Sequence, residues 1–252
     1  MALASIQSLT HYFGGLRAVA NFSLEIEKGY IYGLIGPNGA GKTTMFNLIT
    51  GRYVPSEGKI IFDGTDITGM APHNIAAKGI ARTFQNLKLF SRLTVRENIE
   101  VSHYNLFKKE PGERKGASFV DYLIEKTNLA KYEHSKSGDL PYGLQRRLEI
   151  ARAVSIRPKL LLLDEPAAGM NPSEVDNLRD LIKSILDEFE ITILLIEHQM
   201  RMVMNLCHKV TVMSFGEIIA QGNPEEIRNN KSVVEAYLGK EVTRIRGERT
   251  GS

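Results

Sequence analysis

The sequence predicts an α/β fold: a parallel or mixed sheet with helices, an antiparallel β section at the N-terminus and a helical subdomain. Three observations support this prediction. The stretch Gly36–Thr44 fits G-x-x-x-x-G-K-[ST] and lies between an apolar strand-like run at 31–35 and a helix-period run at 45–49. Two apolar runs, 160–163 and 191–196, end on charged or polar side chains, as parallel strands do beside a ligand site. Residues 3–28, which precede these runs, have the pattern of short antiparallel strands separated by turns. The pattern is that of a P-loop NTPase core.

The glycine-rich stretch is predicted to bind the phosphates of a nucleoside triphosphate. Glycines leave backbone N–H groups free to surround phosphate oxygens, and the following helix directs its positive end at the same anion. Lys42 is expected to reach the β- and γ-phosphates, and Thr43 to place its hydroxyl on Mg²⁺. An ordinary glycine-rich turn is the alternative. The residues of this stretch assigned to nucleotide binding are Gly36, Asn38, Gly39, Ala40, Gly41, Lys42, Thr43 and Thr44.

Composition narrows the classes of function. The chain has 252 residues, of which 42% are hydrophobic, which is enough for one large core or two modest lobes. The net charge of +3 is too small to argue for a nucleic-acid partner. Cys207 is the one cysteine, so no internal disulfide is possible. We see no secretory signal and no run of 18 apolar residues, and therefore expect neither secretion nor a transmembrane helix.

Positive charge is uneven along the chain. Basic residues cluster at 108–115 and again in the tail at 241–252. Solvated faces and a frayed terminus explain both clusters in the simplest way. A docking surface for an acidic partner or for lipid headgroups is the alternative.

The first segment, residues 3–28, reads as two or three strands separated by turn residues at Gly14-Gly15. Tyr12 and Phe13 lie just before that turn, where an aromatic ring could leave the sheet and stack on a purine. Packing against a strand neighbour is the alternative. We therefore expect an antiparallel section ahead of the phosphate loop.

Beyond the loop helix, the pattern predicts a strand at 59–62, a short helix at 71–78 and a strand at 79–85 that ends on Gln85. A side chain at the end of a strand is where a ligand group lies in an α/β sheet. From about 86 to 156 the pattern becomes helical, which predicts a helical insert in the core.

The last helix of this insert is predicted at 144–155. Its expected inner face is formed by Leu148, Ile150, Ala151 and Val154. Its charged residues are expected to point mostly outward: Arg146, Arg147, Glu149 and Arg152.

The acidic pair Asp164-Glu165 ends the apolar run at 160–163. Carboxylates at the end of a buried strand are costly unless something positive faces them. Beside a phosphate loop, Asp164 would hold the Mg²⁺ hydration sphere and Glu165 would orient and polarise the attacking water. An acidic turn before the helix predicted at 172–189 is the alternative. His198 ends the next strand, which predicts a phosphate contact.

These residues together resemble the nucleotide-binding subunit of an ATP-binding cassette (ABC) transporter, from Phe13 to about Leu238. The markers appear in the family's order: Phe13, the phosphate loop, Gln85, a degenerate signature at 140–145, the pair Asp164-Glu165, a dimer loop at 168–171 and His198. The resemblance implies that Phe13 stacks on the base of ATP, that Glu165, His198 and Gln85 act in catalysis, and that Thr43, Gln85 and Asp164 serve Mg²⁺. It also implies head-to-tail dimers in which each signature faces the other subunit's γ-phosphate, through Pro141, Tyr142, Gly143 and Leu144.

The signature departs from the family's usual Leu-Ser-Gly-Gly-Gln. Pro141 replaces the serine and has neither a hydroxyl nor a backbone N–H, and Tyr142 replaces the first glycine. Contact with the phosphate must then depend on Gly143, the Leu144 N–H and the helix N-terminus. Asn171 stands where Asp is usual in the dimer loop, which keeps an acceptor and removes a charge. We expect a slow or partner-dependent ATPase.

Within the family, the strings at 13–19, 82–85, 140–143, 145–152 and 165–172 are similar to the LivG-type ATPases of branched-chain amino acid importers. The ending at 236–239 is shared with the ATPase of lipopolysaccharide export, which stays an alternative. A soluble ABC ATPase acting on DNA or ribosomes, and a P-loop kinase or GTPase, are weaker alternatives.

The resemblance implies one cassette domain at 1–240, with the insert at 86–156 and a tail at 241–252. Its implied partners are integral-membrane permease subunits, a second ATPase subunit and, indirectly, a solute-binding protein, with no nucleic acid. The implied location is the cytoplasmic face of a prokaryotic inner membrane. The surface that follows Gln85 is expected to meet the permease, with Leu89, Phe90 and Leu93 as anchors or as packed core.

Overall fold

The computed structural model describes residues 2–107 and 115–236, and their side chains other than those at 104–118. The chain divides into a first unit, Met1–Pro72 with Leu194–Ser252, and a second unit, His73–Ile193. The predicted tail at 241–252 and the basic side chains at 108–115 lie outside the described residues. The strands and helices, in chain order, are β1 (Ala2–Phe13), β2 (Leu16–Glu27), β3 (Ile31–Ile35), α1 (Lys42–Ile49), β4 (Glu57–Phe62), β5 (Thr65–Asp66), α2 (Pro72–Ala77), β6 (Ile80–Arg82), α3 (Val95–Phe107), α4 (Lys115–Lys126), α5 (Tyr142–Ser155), β7 (Leu160–Asp164), α6 (Pro172–Phe189), β8 (Thr192–Ile196), α7 (Met200–Leu206), β9 (Lys209–Ser214), β10 (Glu217–Gly222) and α8 (Pro224–Arg228).

The first unit contains a four-stranded antiparallel sheet in the order β2-β1-β4-β5. Ile6 of β1 lies opposite Leu24 of β2 on one side and Ile60 of β4 on the other, and all three side chains are buried. The alternation of buried and exposed residues along β2 has the period of two that one packed sheet face requires. The predicted N-terminal antiparallel section is confirmed.

A mixed arrangement of strands positions the phosphate loop in the same unit. β3 is buried along its whole length and pairs in parallel with β9, with Gly33 opposite Val210. β9 in turn pairs antiparallel with β10. β3 leads into the loop and α1 follows the loop, so the strand and helix predicted to flank the motif are both present.

The second unit combines parallel strands with the helical insert. β6 pairs in parallel with β7, with Ala81 opposite Leu161, and every residue of β7 is buried. Helices α3, α4 and α5 pack together in the insert, where Arg96 of α3 forms ion pairs with Asp121 of α4 and with Glu133. β8 begins in this unit and ends in the first.

Several predicted boundaries are wrong by a few residues. β6 ends at Arg82, because its last parallel pairing is with Leu162, and Gln85 therefore follows the strand in a loop. α5 begins at Tyr142 rather than at 144, and β8 ends at Ile196, which leaves His198 beyond the strand. The C-terminal segment is helical in two short stretches, since α8 ends at Arg228 and further helical residues follow at 231–236.

The predicted outer face of α5 is also wrong in part. Arg146 is fully buried and Glu149 is 5% exposed, whereas Arg147 and Arg152 are half-buried. The two buried charges form an ion pair, with Arg146 Nη1 at 2.6 Å from Glu149 Oε2. Leu148, Ile150, Ala151 and Val154 are buried as predicted.

Cys207 follows α7 and is buried. A Cβ atom on Gly33 of β3 would lie 3.0 Å from its Sγ, so the thiol fills the space that this glycine leaves. Burial raises the pKa of the Cys207 thiol well above its usual range, and the charge of Glu197 raises it further. The described helices include none that is long and apolar enough to cross a bilayer.

Candidate nucleotide-binding site

The phosphate loop of the first unit is held in a tight form by its own lysine. Lys42 is 5% exposed, and its Nζ donates to Gly36 O at 2.7 Å and to Pro37 O at 3.0 Å. Asn38, Gly39 and Thr43 are exposed, whereas Gly36 and Ala40 are buried. The ammonium group is thus bonded to two carbonyls of the loop, and other residues of the loop are open to solvent.

The N-terminus of α1 is suited to an anion. Gly41 precedes the helix in a left-handed conformation, with a φ of 101°, and the first turn contains no acidic side chain. A Cβ atom at this position would lie 2.6 Å from Ala18 O, so both the backbone angle and the close approach of β2 require glycine. The helix dipole and a lysine in the first turn both favour a bound phosphate here.

The turn between β9 and β10 braces the loop. Gly216 N donates to Ala40 O at 3.0 Å, and Ala20 N donates to Gly216 O at 2.9 Å. Gly216 has a φ of 84°, and a Cβ atom on it would lie 2.9 Å from Ala18 O. The turn therefore links the loop to β2 through backbone contacts that leave no room for a side chain.

Replacing Gly216 by alanine should weaken ATP binding, because the new methyl group must displace either β2 or the turn that holds Ala40. Gly64→Ala is the matched control, since Gly64 has a φ of 76° and a Cβ on it would meet no described atom within 4 Å. The control should lose only the ~1–2 kcal/mol of a left-handed alanine. We expect Gly216→Ala to lose more stability than the control, by denaturant unfolding, and to bind a fluorescent ATP analogue at least ~10-fold more weakly, or ~1.4 kcal/mol. Equal losses in the two variants would contradict this role of the turn.

Phe13 ends β1 in a small aromatic cluster. Its ring meets the ring of His11 edge-on at 4.7 Å and that of Tyr53 at 5.3 Å, and His11 stacks on Tyr53 at 5.5 Å. The Phe13 side chain is nevertheless 43% exposed, and that of Tyr12 is 42% exposed. Both interpretations of the aromatic pair therefore have support, because the Phe13 ring packs on neighbours and also faces solvent.

His198 lies two residues beyond β8 and is exposed. The backbone that carries it is fixed by Glu197, which is 2% exposed and accepts the N–H groups of His198 and Gln199 through Oε2, at 3.0 Å and 3.3 Å. The first unit thus contains the loop, Phe13 and His198.

The acidic pair belongs to the second unit, where a buried arginine faces its first member. Arg82 Nη2 lies 2.7 Å from Asp164 Oδ2, and the side chains of this ion pair are 6% and 4% exposed. The Arg82 guanidinium also lies 5.0 Å from the ring centre of Phe84. Arg82 thus supplies the positive charge that a buried carboxylate at position 164 requires, and the sequence alone had not identified this arginine.

Glu165 has a strained backbone and a bound side chain. Its φ is 47°, which is uncommon outside glycine, although seven other described non-glycine residues also have a positive φ. Gln85 Nε2 donates to Glu165 Oε2 at 2.9 Å. The second unit therefore brings together two residues assigned to catalysis, although they lie 80 positions apart.

The signature residues form the first turn of α5. Leu144 N and Gln145 N donate to Pro141 O at 3.0 Å each, so the turn closes on the proline that replaces the usual serine. Pro141 and Tyr142 are exposed. A Cβ atom on Gly143 would lie 3.2 Å from Glu174 Oε1 of α6, and one on Gly169 of the dimer loop would lie 3.7 Å from Cε1 of Tyr142, so the dimer loop and the signature are neighbours.

Asn171 has a local structural role at the start of α6. Its Oδ1 accepts the N–H of Glu174 at 3.0 Å, and its own N–H donates to Glu174 Oε2 at 2.9 Å. This is a capping box, and Pro172 occupies the position next to the cap. The amide at 171 thus serves as a helix cap in this chain.

Two residues that sequence reasoning placed on the outside of α5 connect the signature to the Gln85 loop. Arg146 donates to the carbonyl oxygens of Phe84 and Gln85, and Glu149 accepts the N–H groups of Phe84 and Lys88. Burial raises the pKa of the Glu149 carboxyl, and the positive charge of Arg146 opposes this shift. A signal was present in the sequence, because opposite charges three positions apart share a helix face with Ile150, four positions after Arg146.

Three features are typical of a nucleotide-binding ATPase: a phosphate loop, a buried strand followed by the pair Asp164-Glu165, and a helix that begins at the signature. Comparison with known families agrees. A family model described as ABC transporter matches residues 19–168, which is more than half of the chain. A second model, described as branched-chain amino acid ATP-binding cassette transporter, matches residues 217–243. The chain belongs to the ATP-binding cassette family of ABC transporters, and it is a nucleotide-binding ATPase of that family.

Individual relatives extend over nearly the whole chain. BraF of Pseudomonas aeruginosa, a high-affinity branched-chain amino acid transport ATP-binding protein, is 44% identical over 250 residues, which cover 94% of this chain and 98% of BraF. LivG of Escherichia coli K12, described in the same words, is 42% identical with the same coverage. The ADP conformation of MJ1267, an ATP-binding cassette of an ABC transporter, matches with a TM-score of 0.86 and 32% identity, covering 95% of this chain and 99% of that one. The predicted family and fold class are confirmed.

Proposed function

We propose that this chain is the ATP-hydrolysing subunit that energises a membrane importer of branched-chain amino acids. The observation that carries this proposal is the match of residues 217–243 to the branched-chain family model. The descriptions of BraF and LivG support it, and they favour this importer class over lipopolysaccharide export. The subunit would act at the cytoplasmic face of a prokaryotic inner membrane, attached through its permease.

The first unit would bind the nucleotide. The ring of Phe13 would stack on adenine with its exposed face, while His11 and Tyr53 support its edge. Lys42 would exchange its two carbonyl partners for phosphate oxygens, which are stronger acceptors because they carry charge. The N–H groups of the loop would surround the remaining oxygens: those of Gly36, Asn38, Gly39, Ala40, Gly41, Thr43 and Thr44.

Hydrolysis would depend on Glu165, Gln85 and His198. Glu165 would accept a proton from water as the water oxygen bonds to the γ-phosphorus and the bond to the bridging oxygen of ADP breaks. The Gln85 amide holds the Glu165 carboxylate at 2.9 Å and would orient it toward the water. His198 would donate a hydrogen bond to the γ-phosphate, on a backbone fixed by Glu197.

The residues assigned to Mg²⁺ fit that ion by their chemistry. Mg²⁺ prefers oxygen ligands and is usually bound by one or two carboxylates together with substrate phosphates. Thr43 offers a hydroxyl and Asp164 a carboxylate, and Gln85 uses its amide nitrogen on Glu165, so the oxygen of the same amide remains as a ligand group. When bound, Mg²⁺ would neutralise charge on the β- and γ-phosphates. Arg82 would keep the Asp164 carboxylate aligned through their ion pair.

A second subunit would complete the ATP site. Pro141, Tyr142, Gly143 and Leu144 would face the γ-phosphate held by the partner copy or by a paralogous ATPase. The N-terminus of α5 would supply the attraction for the phosphate, because Pro141 cannot donate a hydrogen bond. The energy of binding ATP between two subunits would drive a rearrangement that the permease detects.

The permease would dock on the surface that follows Gln85. The ring of Phe90 is 46% exposed, although its backbone is clamped by Asn98, which accepts its N–H at 2.9 Å, and by Ser137, which donates to its carbonyl at 3.0 Å. Leu89 and Leu93 are half-buried beside it. A rigidly held and exposed aromatic ring is typical of an interface anchor.

Copurification of the intact complex tests the substrate. The chain is expressed with its permease and solute-binding protein, and ATP turnover is measured in liposomes with leucine, isoleucine or valine. We expect at least one of these solutes to stimulate turnover severalfold, whereas lysine and glutamate do not. Stimulation only by a lipid or a sugar would contradict the proposed importer class and would leave the ATPase activity unaffected.

A further inference from the structure

A buried guanidinium connects the signature to the loop that carries Gln85. Arg146 is fully buried in α5. Its Nη1 donates to Phe84 O at 2.7 Å, and its Nη2 donates to Gln85 O at 2.9 Å. The same Nη2 donates to the hydroxyl of Tyr142 at 2.9 Å. One side chain therefore contacts the first helical residue of the signature and the backbone of Gln85.

Glu149, in the next turn of the helix, adds contacts with Arg146 and with the same loop. Its Oε2 accepts Arg146 Nη1 at 2.6 Å, and its Oε1 lies 3.3 Å from the N–H groups of both Phe84 and Lys88. The pair thus binds carbonyl and N–H groups of the segment 84–88. Because a buried charge without a partner is costly, the guanidinium cannot leave these acceptors without a large loss of stability.

The Gln85 side chain extends the connection to Glu165, through the hydrogen bond of 2.9 Å from its Nε2. A continuous path of contacts therefore runs from Tyr142 through Arg146 and Gln85 to Glu165. The family's usual signature has glycine where this chain has Tyr142, and glycine has no side chain to bond to Arg146. The phenol is an acceptor that this chain adds to the path.

We propose that Arg146 is a positioning residue for hydrolysis, and that the Tyr142 hydroxyl holds it so that Gln85 keeps Glu165 aligned. The proposal rests on the proposed role of Glu165 as the base. Arg146 touches neither ATP nor water in this scheme and acts through the backbone of Gln85. Its Nε has no hydrogen-bond partner among the described residues, so both Nη atoms carry the whole interaction.

A merely structural role for this path predicts a different result from a positioning role. Loss of packing would lower the melting temperature and affect binding and turnover together. Loss of positioning would lower kcat, with little change in the KM for ATP or in the melting temperature, because the loop that binds phosphate belongs to the first unit. It would also loosen the segment 84–88, whose N–H groups then exchange faster with solvent.

Tyr142→Phe in the full chain is the first test, with Tyr30→Phe as its matched control. Tyr142 and Tyr30 are 42% and 40% exposed, so both changes remove a hydroxyl from a similarly exposed ring. We expect Tyr142→Phe to lower kcat about 3–10-fold, as one lost hydrogen bond does, with KM within about twofold. Hydrogen exchange in a peptide spanning 83–88 should accelerate severalfold. Tyr30→Phe should change neither quantity.

Arg146→Lys and the double variant complete the test. Lysine keeps the charge and loses the fork that reaches four acceptors, so kcat should fall further than in Tyr142→Phe. If the hydroxyl acts through Arg146, the double variant should be no slower than Arg146→Lys alone, because the path is already broken. The fold-losses of the two single variants should therefore not multiply.

Three results would overturn the proposal: a kcat for Tyr142→Phe within twofold of the parent chain, a lower kcat without faster exchange at 83–88, and losses that multiply in the double variant. Each of these results would contradict the role of the path from Tyr142 to Glu165 without contradicting ATP hydrolysis by the parent chain. Failure of the proposed role of Glu165 is recognised separately, since Glu165→Gln would then hydrolyse ATP at the parent rate.

Discussion

Glu165→Gln should lose ATP turnover while it retains ATP. Glutamine cannot accept the proton from water, whereas its amide oxygen can still accept the hydrogen bond from Gln85, which is 2.9 Å long in the parent chain. Loss of a general base lowers turnover by roughly 10²–10⁴-fold. Because phosphate contacts survive, the variant should accumulate as an ATP-bound dimer, which size-exclusion chromatography with ATP detects.

Glu190→Gln is the matched control for this experiment. Glu190 also has a left-handed backbone, with a φ of 53° against 47° for Glu165, and it lies at the end of α6. We expect it to hydrolyse ATP at the parent rate. Unchanged hydrolysis in Glu165→Gln would remove Glu165 from its proposed role.

Lys42→Ala should weaken ATP binding instead of hydrolysis, because it removes the ammonium group from the phosphate loop.

Arg82→Met should cost about 3–5 kcal/mol of unfolding free energy. The variant leaves the carboxylate of Asp164, which is 4% exposed in the ion pair, without the charge that compensates its burial. Breaking a buried pair by removing one partner has this magnitude in other proteins. Urea denaturation of the full chain measures the loss.

Arg17→Met is the control for burial. Arg17 and Glu217 form an ion pair of the same length, 2.7 Å, but their side chains are 51% and 57% exposed. An exposed pair contributes about 0–1 kcal/mol, so this variant should be nearly as stable as the parent. Similar losses in Arg82→Met and Arg17→Met would show that burial does not determine the contribution of the Arg82 pair. Replacing Asp164 by leucine in the Arg82→Met background should recover part of the loss.

Elements with strong local signals could be predicted from the sequence. The predicted bounds of α6 agree with the structure at both ends. Its start is encoded locally, because Asn171, Pro172 and Glu174 act only on neighbours in the chain. The buried strand at 160–163 and the strand and helix beside the phosphate loop could be identified for the same reason. The first is a run of four leucines, and the other two directly flank a recognisable glycine-rich motif.

The connections within the candidate site could not be predicted in the same way. Sequence reasoning required a positive group near Asp164, but Arg82 lies 82 positions away and reaches it only through the parallel pairing of β6 with β7. Arg146 was placed outside because helix periodicity treats arginine as a surface residue. Its burial depends on backbone acceptors 61 and 62 positions away, so the local signal, its spacing of three from Glu149, does not by itself predict that the pair is buried.

The burial of Cys207 makes the native chain a convenient background for site-directed spectroscopy. The thiolate is the reactive form of cysteine, and burial keeps this thiol protonated in the folded chain. A cysteine introduced on the surface would therefore be the one thiol that a maleimide fluorophore or spin label modifies. Phe215 offers such a position, since it is 90% exposed and adjoins Gly216, whose N–H bonds to the phosphate loop. A probe there would report the arrival of ATP without prior removal of the native cysteine.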